Sequence, residues 1–180
     1  WNLLSLPVRP SDPNIEAVYP NSMNRSAIVF YESGWEQTER DLVVGEGFFL
    51  KYNNVVDRTF SGAQITGISP AYGDKVRIYN GWNLIGGLSY PTSVENIDFA
   101  ERVPFYLPDV QYTKEASYWG YRTDLGYYEV TELRPGLGYF IKAGRYDKAD
   151  SIEAYLKITP SFKKAFSNTT VNAKTAIYNN

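Results

Sequence analysis

Residues 45–51 read Gly-Glu-Gly-Phe-Phe-Leu-Lys, and residues 136–142 read Gly-Leu-Gly-Tyr-Phe-Ile-Lys. The first four residues, Trp-Asn-Leu-Leu, return in the same order at residues 82–85 as Trp-Asn-Leu-Ile. Self-similarity at separated places in an unchanged order is the sequence signature of an internal repeat. The chain is therefore interpreted as a duplication, with a first module over residues 1–80 and a second over residues 81–160.

The offset between the two modules increases along the chain. It is 81 residues for the Trp-Asn stretch and 91 residues for the Gly-x-Gly stretch. Ten additional residues therefore belong to the second module, and we place this insertion near residues 101–116. Residues 161–180 match neither module and are interpreted as a tail or the start of a further unit. Because a strand-like stretch precedes Trp82 and nothing precedes Trp1, we expect the chain to be cut from a larger protein or matured by removal of a leader.

Short segments rich in aromatic and β-branched residues alternate with Gly, Asn, Asp and Pro along most of the chain. Residues 152–159 also alternate apolar with polar side chains, which is typical of a strand with one buried face. We therefore predict an all-β fold of two homologous antiparallel β-sandwich or barrel-like modules in tandem. We expect few short helices, one after each Trp-Asn strand, because Asp12-Pro13 and residues 92–95 resemble helix N-termini.

The composition excludes several functional classes. The 180 residues include no cysteine and no histidine, so there is no disulfide, no Cys or His metal site and no Ser-His-Asp nucleophile. Eighteen basic and twenty acidic residues form no run of either sign, which argues against nucleic acid. No apolar stretch approaches the roughly 20 residues of a membrane span. We predict no cofactor, no metal, no membrane insertion and no enzymatic activity, although scattered carboxylates leave a small glycosidase as an alternative.

The repeated motifs resemble a known bacterial module. Residues 1–8, 58–82, 81–91 and 133–143 are similar to the duplicated Gly-Trp-Asn module near the C-termini of large secreted and cell-surface bacterial proteins, often type IX secretion substrates. The resemblance covers roughly residues 1–160. Val44 replaces the proline found at Pro135, Gly81 has no counterpart before Trp1, and no type IX sorting domain follows residue 160. The resemblance implies an extracellular or cell-surface β-rich module without an associated activity.

Six aromatic residues are predicted to form the structural core. Trp1 and Trp82 are each followed by Asn and two apolar residues, so we interpret them as core anchors rather than sugar-stacking platforms. Trp119 lies 89 residues after Phe30, which makes these two residues candidate counterparts in the two modules. The predicted core comprises Trp1, Trp82, Phe30, Trp119, Phe49 and Phe140.

Aromatic residues without a counterpart are the candidates for a binding surface. Phe105, Tyr106 and Tyr112 belong to the predicted insertion, and the alternative is that they only fix this loop against the sheet. Strand tyrosines present an apolar ring and a hydroxyl in water, so a glycan platform is a second possibility. The candidate surface comprises Phe105, Tyr106, Tyr112, Tyr121, Tyr127 and Tyr128.

Three functions are compatible with these sequence features. We favour a non-catalytic structural or interaction module, which would act as a spacer, an anchor or a subunit contact in an extracellular assembly. Its partners would be other domains or subunits of that assembly. A glycan-binding module is the first alternative, and a carboxylate glycosidase is the second.

Overall fold

The structure is a computed structural model that describes residues 1–23, 26–31, 33–53, 56–102, 112–145, 153–159 and 170–177. Strands are the main regular structure of the described chain, which has one short α-helix, and this confirms the all-β prediction. One turn of α-helix, α1 (Ile15–Val18), follows the first strand and is capped by the Asn14 side chain. The expected second helix is a single 3₁₀ turn, Val94–Asn96, with Ser93 as its cap.

The strands of the described chain are numbered in chain order. They are β1 (Asn2–Ser5), β2 (Ala27–Tyr31), β3 (Gly34–Thr38), β4 (Gly47–Leu50), β5 (Val56–Ala63), β6 (Arg77–Ile78), β7 (Gly81–Gly86), β8 (Thr92–Ser93), β9 (Ile97–Arg102), β10 (Tyr112–Arg122), β11 (Gly126–Glu129), β12 (Glu132–Leu133), β13 (Gly138–Arg145), β14 (Glu153–Ile158) and β15 (Thr170–Ile177). A further 3₁₀ turn covers Pro70–Tyr72.

Two antiparallel four-stranded sheets form the centre of the molecule. The first has the strand order β1-β4-β2-β3, and the second has the order β7-β13-β10-β11. Each order begins with the strand of the Trp-Asn stretch and places the Gly-x-Gly strand beside it. Leu3 pairs with Phe49 in the first sheet, and Leu84 pairs with Phe140 in the second. The two sheets therefore share one strand order and one register between these strands.

The pairing of β10 corrects one sequence alignment. Ile28 lies opposite Phe49 in the first sheet, and Trp119 lies opposite Phe140 in the second. Trp119 thus corresponds to Ile28 and not to Phe30, as the 89-residue offset had suggested. The reason is an irregularity between Lys114 and Tyr118, where the register of β10 shifts against β13. Beyond this shift the offset is 91 residues, and the counterpart of Phe30 is Tyr121.

The two sheets touch through a pair of equivalent backbone contacts. The Ser5 amide donates to the Gly136 carbonyl at 3.0 Å, and the Gly86 amide donates to the Gly45 carbonyl at 2.8 Å. The members of the two bonds are related by the same offsets of 81 and 91 residues that relate the sequence stretches. The contact is therefore two-fold symmetric in its pattern, as in an isologous interface.

Alternation along the strands distributes apolar side chains among three clusters. In β4, Phe48 and Leu50 enter the core of the first half, which also contains residues of α1 and β5. In β13, Tyr139 and Ile141 enter the core of the second half, together with residues of β6, β9 and β14. The intervening residues face the opposite way and form a shared cluster of Leu3, Phe49, Leu84 and Phe140 between the sheets. Both faces of each sheet are thus covered near its centre.

Two strand pairings lie outside the sequence expectation. Strand β6 comes before residue 80 but pairs with β14, which comes after it. Strand β15 lies within residues 161–180 and pairs along its whole length with β5. The expectation of a tail therefore does not hold for residues 170–177. Val171, Ala173 and Ile177 recur at even spacing in the sequence, which is the strand signal that the polar composition of this segment obscured.

The six predicted core residues differ in how deeply they are buried. Phe49 and Phe140 are buried, and Phe30 and Trp119 are partly buried against the shared cluster. Trp1 and Trp82, however, remain 38% and 42% exposed, so the prediction that they are core anchors is wrong. Trp82 is the second residue of β7 and contacts the ring of Phe140 at its edge, with centroids 6.3 Å apart, whereas Trp1 precedes β1. Lys51 Nζ lies 5.9 Å from the ring of Trp1.

Buried tyrosines predict a sharp alkaline transition. Burial raises the pKa of Tyr52, Tyr118 and Tyr139 to about 12. A raised phenol pKa contributes stability that is fully present below the ordinary value of about 10 and is lost as the pH rises toward 12. We expect a pH titration of tyrosinate absorbance to show these residues ionising only as the fold is lost. Ionisation of all sixteen tyrosines near pH 10 in the folded protein, with circular dichroism unchanged, would contradict this.

Candidate functional site

An apolar cleft opens where the two sheets meet, and every described residue that lines it is aromatic. Its volume is about 410 Å³. Strands β2 and β3 of the first sheet and β7, β10, β11 and β13 of the second contribute side chains to it. We call this site the aromatic cleft. Its lining residues are Phe30, Trp35, Trp82, Trp119, Tyr127 and Phe140.

Ring geometry gives the aromatic cleft a floor and walls. Phe140 is buried and forms the floor. The rings of Trp35, Trp82 and Tyr127 stand nearly perpendicular to it, with interplanar angles of 78°, 88° and 69°. Edge-to-face contact is a favoured arrangement of aromatic pairs. The three wall rings are thus held at their inner edges, while 52% of Trp35 and 58% of Tyr127 remain exposed.

Two wall residues belong to edge strands. Trp35 lies in β3 and Tyr127 lies in β11, and in the described part of the chain each of these strands pairs on one side only. Trp35 lies opposite Phe30, and Tyr127 lies opposite Tyr121, so the two wall residues occupy equivalent positions in the two sheets. The aromatic cleft is therefore adjacent to unpaired backbone groups of both sheets.

The lining of the aromatic cleft carries no charged side chain. Its polar side-chain atoms are three indole N–H groups, which can only donate, and the Tyr127 hydroxyl. Such a surface can bury an apolar or aromatic group and donate a few hydrogen bonds to it. It contains no carboxylate, amide or guanidinium that could position a strongly polar ligand.

A second cleft, about 460 Å³ in volume, has a mixed lining that includes charged side chains. It lies between β1 and the β10, β11 and β13 strands of the second sheet. We call it the polar cleft, and the side chains that give it this character are Tyr128, Glu129, Arg122, Thr131, Glu132 and Arg134. Arg122 is held by Asp124 through two hydrogen bonds of 3.1 and 2.6 Å.

The corresponding region of the first sheet contains a hydrogen-bonded ionic cluster. Arg40 donates to the Tyr31 hydroxyl and to the Glu46 carboxylate, and both acceptors line a cleft of about 320 Å³. Burial raises the pKa of Glu46 above its ordinary value, even though Arg40 opposes this shift. The polar groups of this cluster are therefore directed at one another rather than at the cleft.

The structure separates the residues that the sequence placed on one binding surface. Phe105 and Tyr106 lie outside the described residues, and of Tyr112 only the backbone in β10 is described. Tyr127 lines the aromatic cleft, and Tyr128 lines the polar cleft. Tyr121 packs against Phe49 with ring centroids 5.5 Å apart and also borders the polar cleft.

Trp35, the tryptophan with the greatest exposure, was not among the residues predicted from the sequence. Its signal was an indole in the polar segment Gly34–Thr38, at a position with no tryptophan in the second half. The exposure of Trp82 was also missed, because a repeated tryptophan followed by two apolar residues is more often buried. Whether an indole at a strand end is covered depends on what lies across the sheet interface.

The described residues contain no group of three or more His, Cys, Asp or Glu side chains that could hold a metal ion. None of the helices in the described chain has the length and apolar character required to cross a membrane. No protein-family model, curated protein or solved structure matches the chain. The functional interpretation therefore rests on the geometry of the two clefts.

Proposed function

We propose that this protein is a non-catalytic interaction module, and that the aromatic cleft is its contact surface for another protein. The observation that carries the proposal is the joint exposure of Trp35, Trp82 and Tyr127 around a neutral, concave site. Tyr and Trp are enriched at protein interfaces, especially where a pocket is fully desolvated by the partner. The partner would be another domain or subunit of an extracellular or cell-surface assembly.

The free energy of burying apolar surface favours binding of a partner over exposure of the aromatic cleft to water. Burying apolar area stabilises an association by roughly 25 cal/mol per Å², and a tryptophan can bury about 150–250 Å². Exposed indoles at Trp35 and Trp82 therefore leave several kcal/mol of burial unused in the isolated chain. Rings already fixed by edge-to-face contacts with Phe140 would lose little conformational entropy on binding.

Other parts of the proposal rest on the sequence. The extracellular setting and the bacterial, type IX relationship come from the resemblance of the repeated motifs. We infer that the two halves descend from one duplicated unit, and the equal strand orders and equivalent backbone contacts support this inference. The absence of histidine and cysteine supports a non-catalytic role. Release of shorter products from a polysaccharide would contradict that role and favour the glycosidase alternative.

Cross-linking in the cells that produce the protein provides the test. The wild-type chain should yield a partner protein cross-linked beside the aromatic cleft, and the variant carrying Trp35→Ala and Trp82→Ala should lose it. A central aromatic contributes about 2 kcal/mol or more to binding, so each substitution should weaken affinity by roughly 30-fold. Tyr72→Ala is the matched control, because Tyr72 is 66% exposed and lines neither cleft. Equal cross-linking of all variants would refute the proposal.

A further inference from the structure

The polar cleft is a second concave site between the two halves, and its lining includes charged side chains. Its volume of about 460 Å³ lies within the range of small-ligand sites, roughly 300–1,000 Å³. It is formed by both halves, because Asn2, Leu3 and Leu4 of β1 face the strands of the second sheet across it. The hydrogen bond from the Ser5 amide to the Gly136 carbonyl joins the two halves at this junction.

Tyr128 forms an aromatic platform in this cleft. Gly120 lies directly opposite it in the β10–β11 pair. A Cβ atom at Gly120 would lie only 2.6 Å from Tyr128 Cζ and 2.7 Å from its hydroxyl oxygen, so the outer part of the ring covers this glycine. Aromatic residues covering a cross-strand glycine are a known means of fixing a ring on a sheet. The ring is therefore fixed on the sheet, and Tyr128 is one of the residues that line the cleft.

Planar polar groups of both signs surround this platform. The lining includes the arginines Arg122 and Arg134 and the glutamates Glu129 and Glu132. Arg122 is oriented by its paired hydrogen bonds with Asp124, and Arg134 Nε lies 3.7 Å from Glu132. With Asp124 included, two guanidinium and three carboxylate groups surround the cleft. A site with this small excess of negative charge suits a neutral ligand with many hydroxyl groups better than an anion.

We propose that the polar cleft binds a neutral oligosaccharide, with one sugar ring stacked on Tyr128 and its hydroxyl groups hydrogen-bonded by Arg122 and Arg134. Sugar rings present C–H groups on their faces and hydroxyls at their rims, which matches a flat aromatic ring bordered by planar donors and acceptors. The first half lacks this aromatic platform, since Glu36 occupies the position of Tyr128. This binding would be separate from the partner contact of the aromatic cleft.

Isothermal titration and ligand-observed NMR with soluble hexasaccharides of glucose, xylose and mannose test this proposal. At least one should bind the full chain, and Tyr128→Ala should weaken that binding by at least tenfold. Tyr128→Phe keeps the ring and should retain most of the affinity. Gly120→Ala should reproduce the loss seen with Tyr128→Ala, because a methyl group there displaces the ring. Unfolding curves of each variant verify that the fold is retained.

Four results would overturn the proposal. The first is that none of the hexasaccharides binds, and the second is that Tyr128→Ala and wild type bind them equally. The third is that only oligosaccharides of uronic acids bind, which would indicate an anion site. Binding lost in the variant with Trp35→Ala and Trp82→Ala but kept in Tyr128→Ala would place the sugar in the aromatic cleft. That last outcome would also overturn this assignment. The proposed partner-protein contact would still be tested separately, by cross-linking.

Discussion

Phe140→Ala should lower the free energy of unfolding by about 3–5 kcal/mol, the cost of removing a buried phenylalanine from a packed core. Phe140 is 8% exposed and belongs to the shared cluster between the sheets. Its ring contacts those of Phe49, Trp82 and Tyr127, with centroids 5.4–6.3 Å apart. The substitution removes the floor of the aromatic cleft and the centre of the sheet interface together. Equilibrium unfolding in urea measures the change.

Trp82→Ala is the informative comparison for Phe140→Ala. Its side chain is larger, but 42% of it remains in water, so its truncation leaves no closed cavity. We expect a loss of no more than about 2 kcal/mol. A cost equal to that of Phe140→Ala would mean that Trp82 acts as a core residue and that the aromatic cleft is not an open surface.

Gly138→Ala should destabilise the protein by about 3 kcal/mol, at the upper end of typical overpacking effects. A Cβ atom at this position would lie 2.7 Å from the Leu4 carbonyl oxygen and 2.8 Å from Leu3 Cδ1. The carbonyl belongs to the backbone of β1, so it cannot move aside as a flexible side chain would. The added methyl group must separate β1 from β13, which also strains the hydrogen bond between Ser5 and Gly136.

The equivalent position in the first half provides a matched variant. A Cβ atom on Gly47 would lie 2.7 Å from the Ile85 carbonyl oxygen, so Gly47→Ala should cost about as much as Gly138→Ala. Gly87→Ala is the control, because its nearest neighbour is the Leu133 side chain at 3.3 Å. Chemical denaturation should rank the control well below the other two. If both Gly47→Ala and Gly138→Ala were neutral, the two sheets would not approach as closely as these distances require.

Local sequence patterns predicted strands well where apolar and polar side chains, or aromatic runs between glycines, followed one clear pattern. Period-two alternation indicated the strand at residues 153–158, and aromatic runs between glycines indicated β4 and β13. The equal order of the repeated stretches also anticipated two sheets of the same strand order. In contrast, the alignment of Trp119 with Phe30 failed at the register shift in β10, because a bulge changes strand pairing without leaving a gap in the sequence.

The sequence predicted only part of the candidate site. Tyr127 and Tyr128 were named as binding candidates, yet these neighbouring residues line different clefts because successive side chains in a strand face opposite sides. Trp35 was overlooked, since nothing in its polar surroundings indicates that it lies across from Phe140 of the other sheet. The pairing of β15 with β5 was likewise invisible, because about 110 residues separate the two strands.

The sequence by itself determined the β class and the exclusion of histidine and cysteine chemistry, because each of these depends on composition or on patterns within a few residues. The tertiary structure alone decided which aromatic residues are buried and which line a cleft. A tryptophan at the end of a strand has the same neighbours in sequence whether another sheet covers it or not. Its exposure is fixed by the contact between the two halves, where glycines let the backbones approach and Phe140 fills the centre.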